Sequence, residues 1–101
     1  MSIQVSFVIP CYNEVDYIGK CINSIRHQGI EPKSYEIIVV DNGSRDGTDE
    51  LASELGAIVL TNPRRGAAAS RNMGALHAKG ETLAFVDADC ILDSAWVTKL
   101  T

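Results

Sequence analysis

A run of four aliphatic residues, Ile37-Ile38-Val39-Val40, constrains the fold of this chain more than any other feature. The run is β-branched, which favours a strand, and no polar residue interrupts it, so the strand has no face for water. Strands that are buried on both faces are typical of parallel sheets with helices on either side. The run therefore predicts an α/β protein built around a mostly parallel sheet.

Three further strand patterns alternate with helical patterns along the chain. The predicted strands are residues 3–9, 36–40, 57–60 and 82–86, and the helical patterns are residues 15–25, 51–55, 67–79 and 96–100. We expect Pro10 to stop the first strand, Asn13 or a neighbour to cap the first helix, and Gly80 to end the third helix. Strand-helix repeats with short links predict right-handed crossovers and three layers, α/β/α.

Composition narrows the classes of protein to which the chain can belong. With 101 residues, 46% of them hydrophobic and 22% charged, residues 1–101 are expected to form one soluble domain. The net charge of −4 and the lack of a dense Lys/Arg stripe argue against nucleic-acid binding. No apolar run reaches membrane-spanning length, and neither a signal-peptide pattern nor a paired cysteine spacing occurs. We therefore expect a reduced, cytoplasmic setting.

Polar residues follow each of the four predicted strands. They form the loops Pro10-Cys11-Tyr12-Asn13-Glu14, Asp41-Asn42-Gly43-Ser44, Asn62-Pro63-Arg64-Arg65-Gly66 and Asp87-Ala88-Asp89. In a parallel sheet these loops share the carboxyl edge, where ligands bind in open α/β folds. Neither the glycine fingerprint of dinucleotide-binding folds nor a P-loop is present, so a nucleotide would have to be held differently.

Asp87 and Asp89 lie two residues apart at the end of the fourth strand. If the strand persists through Val86, the two carboxylates face the same side. Converging carboxylates repel each other unless a cation lies nearby, and Mg²⁺ and Mn²⁺ prefer oxygen ligands. The pair suggests a metal and phosphate site, with a solvated acidic turn as the alternative.

Four motifs follow one another in the chain, namely Pro10-Cys11-Tyr12-Asn13-Glu14, Val40-Asp41-Asn42-Gly43-Ser44-Arg45-Asp46-Gly47-Thr48, Gly66-Ala67-Ala68-Ala69-Ser70-Arg71-Asn72 and Phe85-Val86-Asp87-Ala88-Asp89. Their order and spacing resemble the family 2 glycosyltransferases of the GT-A fold, over essentially the whole chain. The resemblance implies a partial GT-A (Rossmann-like) fold with strand order 3-2-1-4. It also implies a nucleoside-diphosphate-sugar donor, Mg²⁺ or Mn²⁺, and inverting transfer to an acceptor hydroxyl. Uridine is the expected base and guanosine the alternative.

The resemblance also implies roles for residues that would border the base. Pro10, Tyr12 and Glu14 resemble residues beside the base and ribose, and Asp41 resembles the aspartate that hydrogen-bonds the base edge. A carboxylate suits that role because it accepts the hydrogen bond that a uracil or guanine ring nitrogen donates. The alternative for Asp41 is a turn cap at the end of a strand.

Further roles follow for the diphosphate and the metal. Arg71 resembles an arginine near the base and diphosphate, and a guanidinium suits bidentate contact with phosphate. Asp87 and Asp89 resemble the Asp-x-Asp (DXD) motif, in which the second aspartate contacts the metal and the first reaches the ribose or the metal. The metal would bridge the phosphates and neutralise charge on the leaving group.

In the family, the general base and most acceptor contacts come from the half that follows this motif. We therefore expect the base beyond Thr101 and interpret residues 1–101 as a fragment, the donor half, which is inactive in transfer by itself. Membrane association would come only through missing parts of a parent chain at the inner face of the membrane. Because the fourth strand would lie on an open edge, we also expect a homodimer that pairs at residues 82–86.

Two other functions stay open at this point. One is a sugar-nucleotide nucleotidyltransferase, a group that opens with a Gly-rich loop and a nearby Arg and Lys, which residues 10–14 do not resemble. The other is a non-catalytic interaction module that retains the fold. Failure to make a nucleotide sugar from a sugar phosphate and a nucleoside triphosphate would remove the first, and absence of nucleotide binding would favour the second.

Overall fold

The computed structural model describes residues 2–63 and 66–93. Along this part of the chain the elements are β1 (Val5–Cys11), α1 (Val15–Arg26), a 3₁₀ turn (Pro32–Ser34), β2 (Tyr35–Asp41), α2 (Thr48–Glu54), β3 (Ile58–Thr61), α3 (Ala67–His77) and β4 (Thr82–Phe85). The strands form one parallel sheet in the order β3-β2-β1-β4. The α/β class and the strand order expected from the sequence are confirmed. The helix expected at residues 96–100 lies outside the described residues.

The two faces of the sheet carry cores of different size. The face under α1 and α2 holds the larger one, in which Phe7 of β1, Ile22 of α1 and Val39 of β2 are buried. The opposite face is thinner, since α3 packs there against Val8, Ile38 and Val40. Helices therefore cover both faces, and the second-strand run is buried on both, as its sequence predicts. None of the helices in the described residues is long and apolar enough to cross a membrane.

Pro10 does not stop the first strand, so that expectation is wrong. The strand continues to Cys11, and Pro10 pairs in register with Val40. In and just before β1, even-numbered residues make the backbone hydrogen bonds to the β4 side: Thr82 N donates to Gln4 O at 2.9 Å, and Val86 N donates to Val8 O at 3.0 Å. The nitrogen of Pro10, which carries no hydrogen, therefore points toward the side of β4, beyond Val8, the last residue of β1 that pairs with that strand. A proline is tolerated at such a position because it interrupts no bond.

The third helix ends at His77, two residues before the predicted end at Lys79. Ala78 is already extended, and the next two backbone N–H groups donate to side chains of the sheet: Lys79 N to Glu36 Oε2 at 2.7 Å and Gly80 N to Ser6 Oγ at 2.8 Å. Gly80 allows close approach to β1 instead of ending the helix. A Cβ at Gly80 would lie 2.6 Å from the backbone nitrogen of Ser6.

Strand β4 lies at the sheet edge, as the resemblance implies. Ala84 is buried, whereas Leu83 and Phe85 are 41% and 46% exposed. Exposed apolar side chains on an open edge favour association. Pairing of two chains at this edge stays a prediction, and sedimentation velocity over a concentration series tests it: a monomer mass at every concentration would contradict it.

Candidate functional site

A cavity of about 360 Å³ opens at the carboxyl edge of the sheet. It is lined by the end of β1, the loops after β1, β2 and β4, and the first turn of α3, namely Pro10, Cys11, Tyr12, Glu14, Asn42, Ala67 and Asp87. Four of these residues, Pro10, Tyr12, Glu14 and Asp87, carry roles implied by the resemblance. The fold therefore brings together residues that are as far apart in sequence as the first and the last motif.

The loops after β1 and β2 hold each other in place. Asn13 N donates to Ser44 Oγ at 2.8 Å, and Arg45 N donates to Asn13 Oδ1 at 2.9 Å. Asn13 adopts φ 53°, a left-handed conformation that asparagine tolerates better than most residues. With its side chain engaged in this way, Asn13 does not cap α1, and the cap expected there is absent.

Side chains from the start of α2 and from the loop before it instead accept the backbone N–H groups at the start of α1. Glu14 N donates to Thr48 Oγ1 at 2.9 Å, and Val15 N donates to Asp46 Oδ2 at 3.1 Å. Asp46 also accepts the N–H of Thr48, the first residue of α2, at 3.0 Å. The hydrogen bond from the Thr48 hydroxyl, followed by those from backbone N–H groups, lowers the pKa of Asp46. These bonds fix the position of Glu14 at the cavity wall.

Asp41, the last residue of β2, is only 2% exposed, and its neighbour Asn42 lines the cavity. Its Oδ2 accepts the backbone N–H groups of Gly43 and Ser44 at 3.1 and 2.9 Å, and its Oδ1 accepts the Ser44 hydroxyl at 2.5 Å. The Cys11 thiol donates to Oδ1 at 3.5 Å, and burial, then Asp41, raises the pKa of that thiol well above its usual value. Asp41 thus forms the turn cap that was its alternative role, and its role at a base edge stays a prediction.

The acidic residues of the last motif lie in a turn just beyond β4. Strand β4 ends at Phe85 and does not reach Val86 as predicted; Val86 and Ala88 are buried, whereas Asp87 and Asp89 are exposed. Asp87 lines the cavity, and Asp89 does not. Burial, followed by the charges of Asp89 and Asp46, raises the pKa of Glu14.

These carboxylates can serve a metal ion only in part. Within residues 2–63 and 66–93, no three His, Cys, Asp or Glu side chains converge as a metal-binding group. Mg²⁺ commonly takes one or two carboxylates and completes its shell with water and substrate phosphates. The oxygen donors of Asp87 and Asp89 fit that pattern, and do not fit a metal held by protein alone.

The first turn of α3 closes another side of the cavity, through Ala67. Gly66, at φ 136°, occupies the position before the helix, and Ser70 N donates to Gly66 O at 3.1 Å. A helix start of this kind presents free N–H groups and favours negative charge. Arg71 follows in the same helix, is exposed and is not among the lining residues.

Sequence reasoning missed three lining residues: Cys11, Asn42 and Ala67. Each lies within a quoted motif, so its place in the loop was visible, but no rule of residue type marked it. A hydrogen bond holds the side chain of Asn42: the buried hydroxyl of Ser70 donates to its Oδ1 at 2.7 Å. Asn62, also buried, donates from Nδ2 to the Ser70 oxygen at 3.2 Å.

Known proteins resemble this chain throughout. The model of the family described as Glycosyl transferase family 2 matches residues 6–101. Glycosyltransferase AglE of Haloferax volcanii is 39% identical over 94% of this chain and 33% of its own length. S. aureus TarS 1-349 in complex with UDP superposes with a TM-score of 0.89 and 27% identity, over 97% of this chain and 31% of that one.

A second solved relative carries a different nucleotide. Mannosyltransferase PcManGT from Pyrobaculum calidifontis, in complex with GDP-Man and Mn²⁺, has a TM-score of 0.85 and 28% identity, over 94% of this chain and 30% of that chain. The chain thus spans about a third of the length of each of these relatives.

Proposed function

The chain belongs to glycosyl transferase family 2, and on that basis we propose that its cavity binds the nucleoside-diphosphate part of a sugar donor. The observation that carries the proposal is the cavity itself, which is bordered by the Asp87 carboxylate on one side and the start of α3 on another. The helix start suits the diphosphate, and the carboxylate suits a ribose hydroxyl or a metal ion. Relatives with the same fold bind UDP or GDP-Man, which supports this class of ligand.

The base in the proposal is uracil, with guanine as the alternative. Pro10 and Tyr12 give the cavity wall an apolar and aromatic surface beside which a base can lie. Tyr12 is 37% exposed, which leaves its ring open to a ligand. TarS was solved with UDP, and its similarity covers 97% of the present chain, which favours uracil.

A divalent metal is part of the proposal, with Asp89 and Asp87 as its protein ligands. The metal would supply positive charge to the diphosphate as it leaves the sugar. The carboxylates of Asp89 and Asp87 would hold that charge beside the diphosphate. Whether the ion is Mg²⁺ or Mn²⁺ is decided by titration, and PcManGT was solved with Mn²⁺.

Transfer of the sugar to an acceptor, with inversion, is proposed for the whole protein. The general base that this step needs is proposed outside residues 1–101, because in the family that carboxylate comes from the half that follows the Asp-x-Asp motif. Residues 1–101 alone would accordingly bind the donor without transferring the sugar, and a cytoplasmic location is proposed.

The experiment is a calorimetric titration of the protein with UDP and with GDP, each with and without Mn²⁺. We expect UDP to bind more tightly when Mn²⁺ is present, since the ion offsets repulsion between diphosphate and carboxylates. Asp89→Asn should weaken this metal-dependent binding by about tenfold or more, the loss expected for a charged ligand of the ion.

Asp16→Asn is the matched control. Asp16 is exposed on the first turn of α1, does not line the cavity, and gives the same change in net charge. Equal binding by wild type and Asp89→Asn would remove the metal site from the proposal. Absence of binding by a folded wild-type protein to both nucleotides would contradict the proposal as a whole.

A further inference from the structure

We infer that Asn42 lets the cavity distinguish uracil from cytosine, and that Ser70 positions it. The inference rests on the proposed function, because it names the part of the nucleotide that Asn42 would contact. It adds a residue to which the sequence pattern assigned no role.

Asn42 is the lining residue from the loop after β2. It is half-buried, directly follows Asp41 and lies at the end of the strand that pairs with β1. An asparagine side chain offers one acceptor oxygen and one amide nitrogen that donates twice. Which of the two a ligand meets depends on what the protein has already bound.

Within the protein, the side-chain oxygen of Asn42 already accepts a hydrogen bond. Asn62 donates to Ser70 Oγ at 3.2 Å, and the Ser70 hydroxyl donates to Asn42 Oδ1 at 2.7 Å. Ser70 is 0% and Asn62 3% exposed, so water does not compete for this relay. Because a hydroxyl has a single proton, accepting from Asn62 and donating to Asn42 fixes the direction of the relay.

The relay leaves the Asn42 amide nitrogen as the polar atom available to a ligand. It makes no hydrogen bond within residues 2–63 and 66–93. A donor of this kind matches a carbonyl oxygen at a base edge, as in uracil, and opposes the amino group that cytosine carries at the corresponding position. Asn42 would thus favour UDP over CDP.

The test compares dissociation constants for UDP and CDP, measured by calorimetry with Mn²⁺ on the same preparations. Wild type should prefer UDP. Asn42→Asp retains an acceptor for Ser70 but replaces the donor with a carboxylate, which accepts from the cytosine amino group. The UDP preference should therefore fall by about tenfold, the equivalent of one hydrogen bond to a charged group. Because both ligands carry the same diphosphate, added charge repulsion cancels in the ratio.

Ser70→Ala tests the positioning role. A serine that only supported the fold would change thermal stability and leave the UDP-to-CDP ratio intact, whereas a positioning residue lowers the ratio because the Asn42 amide can then turn over. Asn23→Asp is the matched control: Asn23 is exposed on α1 and does not line the cavity, so the ratio should stay at its wild-type value.

The outcomes are distinct. If wild type binds none of UDP, CDP and GDP, the proposed function fails and this inference fails with it; if it binds GDP alone, only this inference fails. If wild type binds UDP and the ratio is the same in Asn42→Asp, only this inference is overturned. Should Asn42→Asp not fold, Asn42→Ala removes the donor without adding charge, and an unchanged ratio in that variant overturns the inference in the same way.

Discussion

The two edges of the sheet use similar polar residues for opposite purposes. At the amino edge, Glu36 Oε2 accepts the Ser6 hydroxyl at 2.6 Å and Lys79 N at 2.7 Å, and Gly80 N donates to Ser6 at 2.8 Å. At the carboxyl edge, Glu14 faces the charges of Asp89 and Asp46 and its pKa is raised. A carboxylate that accepts several hydrogen bonds stabilises the fold, whereas carboxylates that lie near one another favour the binding of a cation.

The carboxylates at the carboxyl edge are themselves of two kinds. The oxygens of Asp41 and Asp46 accept hydrogen bonds from backbone N–H groups, so these two residues stabilise the loops. Asp87 lines the cavity and is exposed. The lesson is that a motif at a site contains both structural and ligand-facing carboxylates. Substitutions at the two edges should accordingly separate stability from binding.

The largest effect is expected for Gly80→Ala at the amino edge. The new Cβ would lie 2.6 Å from the nitrogen and the hydroxyl oxygen of Ser6 and 2.8 Å from the carbonyl carbon of Val5, and backbone of a central strand cannot move aside cheaply. Overpacking of this kind costs about 1–3 kcal/mol in the free energy of unfolding. Urea denaturation measures it.

Gly19→Ala is the control for this change. Its Cβ would lie 3.8 Å from Leu51 Cδ2, an ordinary contact, and alanine favours a helix interior. We expect this variant to be more stable than wild type by about 1 kcal/mol. A Gly80→Ala variant as stable as wild type would show that the amino edge is not closely packed.

Ser6→Ala should produce the next largest loss of stability. Ser6 is buried, and its removal leaves the Gly80 N–H without its acceptor, at a cost of about 1–3 kcal/mol. UDP affinity should stay unchanged, because the cavity is at the other edge. Ser53→Ala, on the exposed surface of α2, is the control and should change neither quantity appreciably. A weaker UDP affinity in folded Ser6→Ala would break the separation between the edges.

Asp46→Asn should change how stability depends on pH. The folded state lowers the pKa of Asp46, so this carboxylate contributes stability above its unfolded pKa and loses that contribution as pH falls through the folded pKa. Thermal midpoints measured from neutral to acidic pH should therefore fall less steeply in Asp46→Asn than in wild type. Identical slopes would show that the caps of α1 and α2 do not depend on this charge.

Glu14→Gln should have the smallest effect on stability, and with the opposite sign. The folded state raises the pKa of Glu14, so stability is lost as pH rises through that pKa. Removing the charge should raise the thermal midpoint slightly at neutral pH. A lower midpoint would mean that Glu14 stabilises the fold, as Glu36 does at the other edge.

The sequence predicted the architecture well because its evidence is local. The run Ile37-Ile38-Val39-Val40 predicts a strand that is buried on both faces, and it is. Prediction failed where a distant partner decides the outcome. Pro10 continues its strand because β4 ends beside it, and the helix that should reach Lys79 ends earlier because Glu36, 43 residues away, accepts the Lys79 N–H.

For the candidate site, the sequence by itself determined which loops meet, since parallel strands place all their carboxyl ends at one edge. It also determined the residue types that those loops carry. Only the tertiary structure decided which of those polar groups already accept hydrogen bonds within the protein. Asp41 accepts them from its own turn, and Asn42 Oδ1 accepts one from Ser70, 28 residues later in the chain. The physical reason is that a hydrogen bond has two partners, and a periodic pattern reports on only one of them.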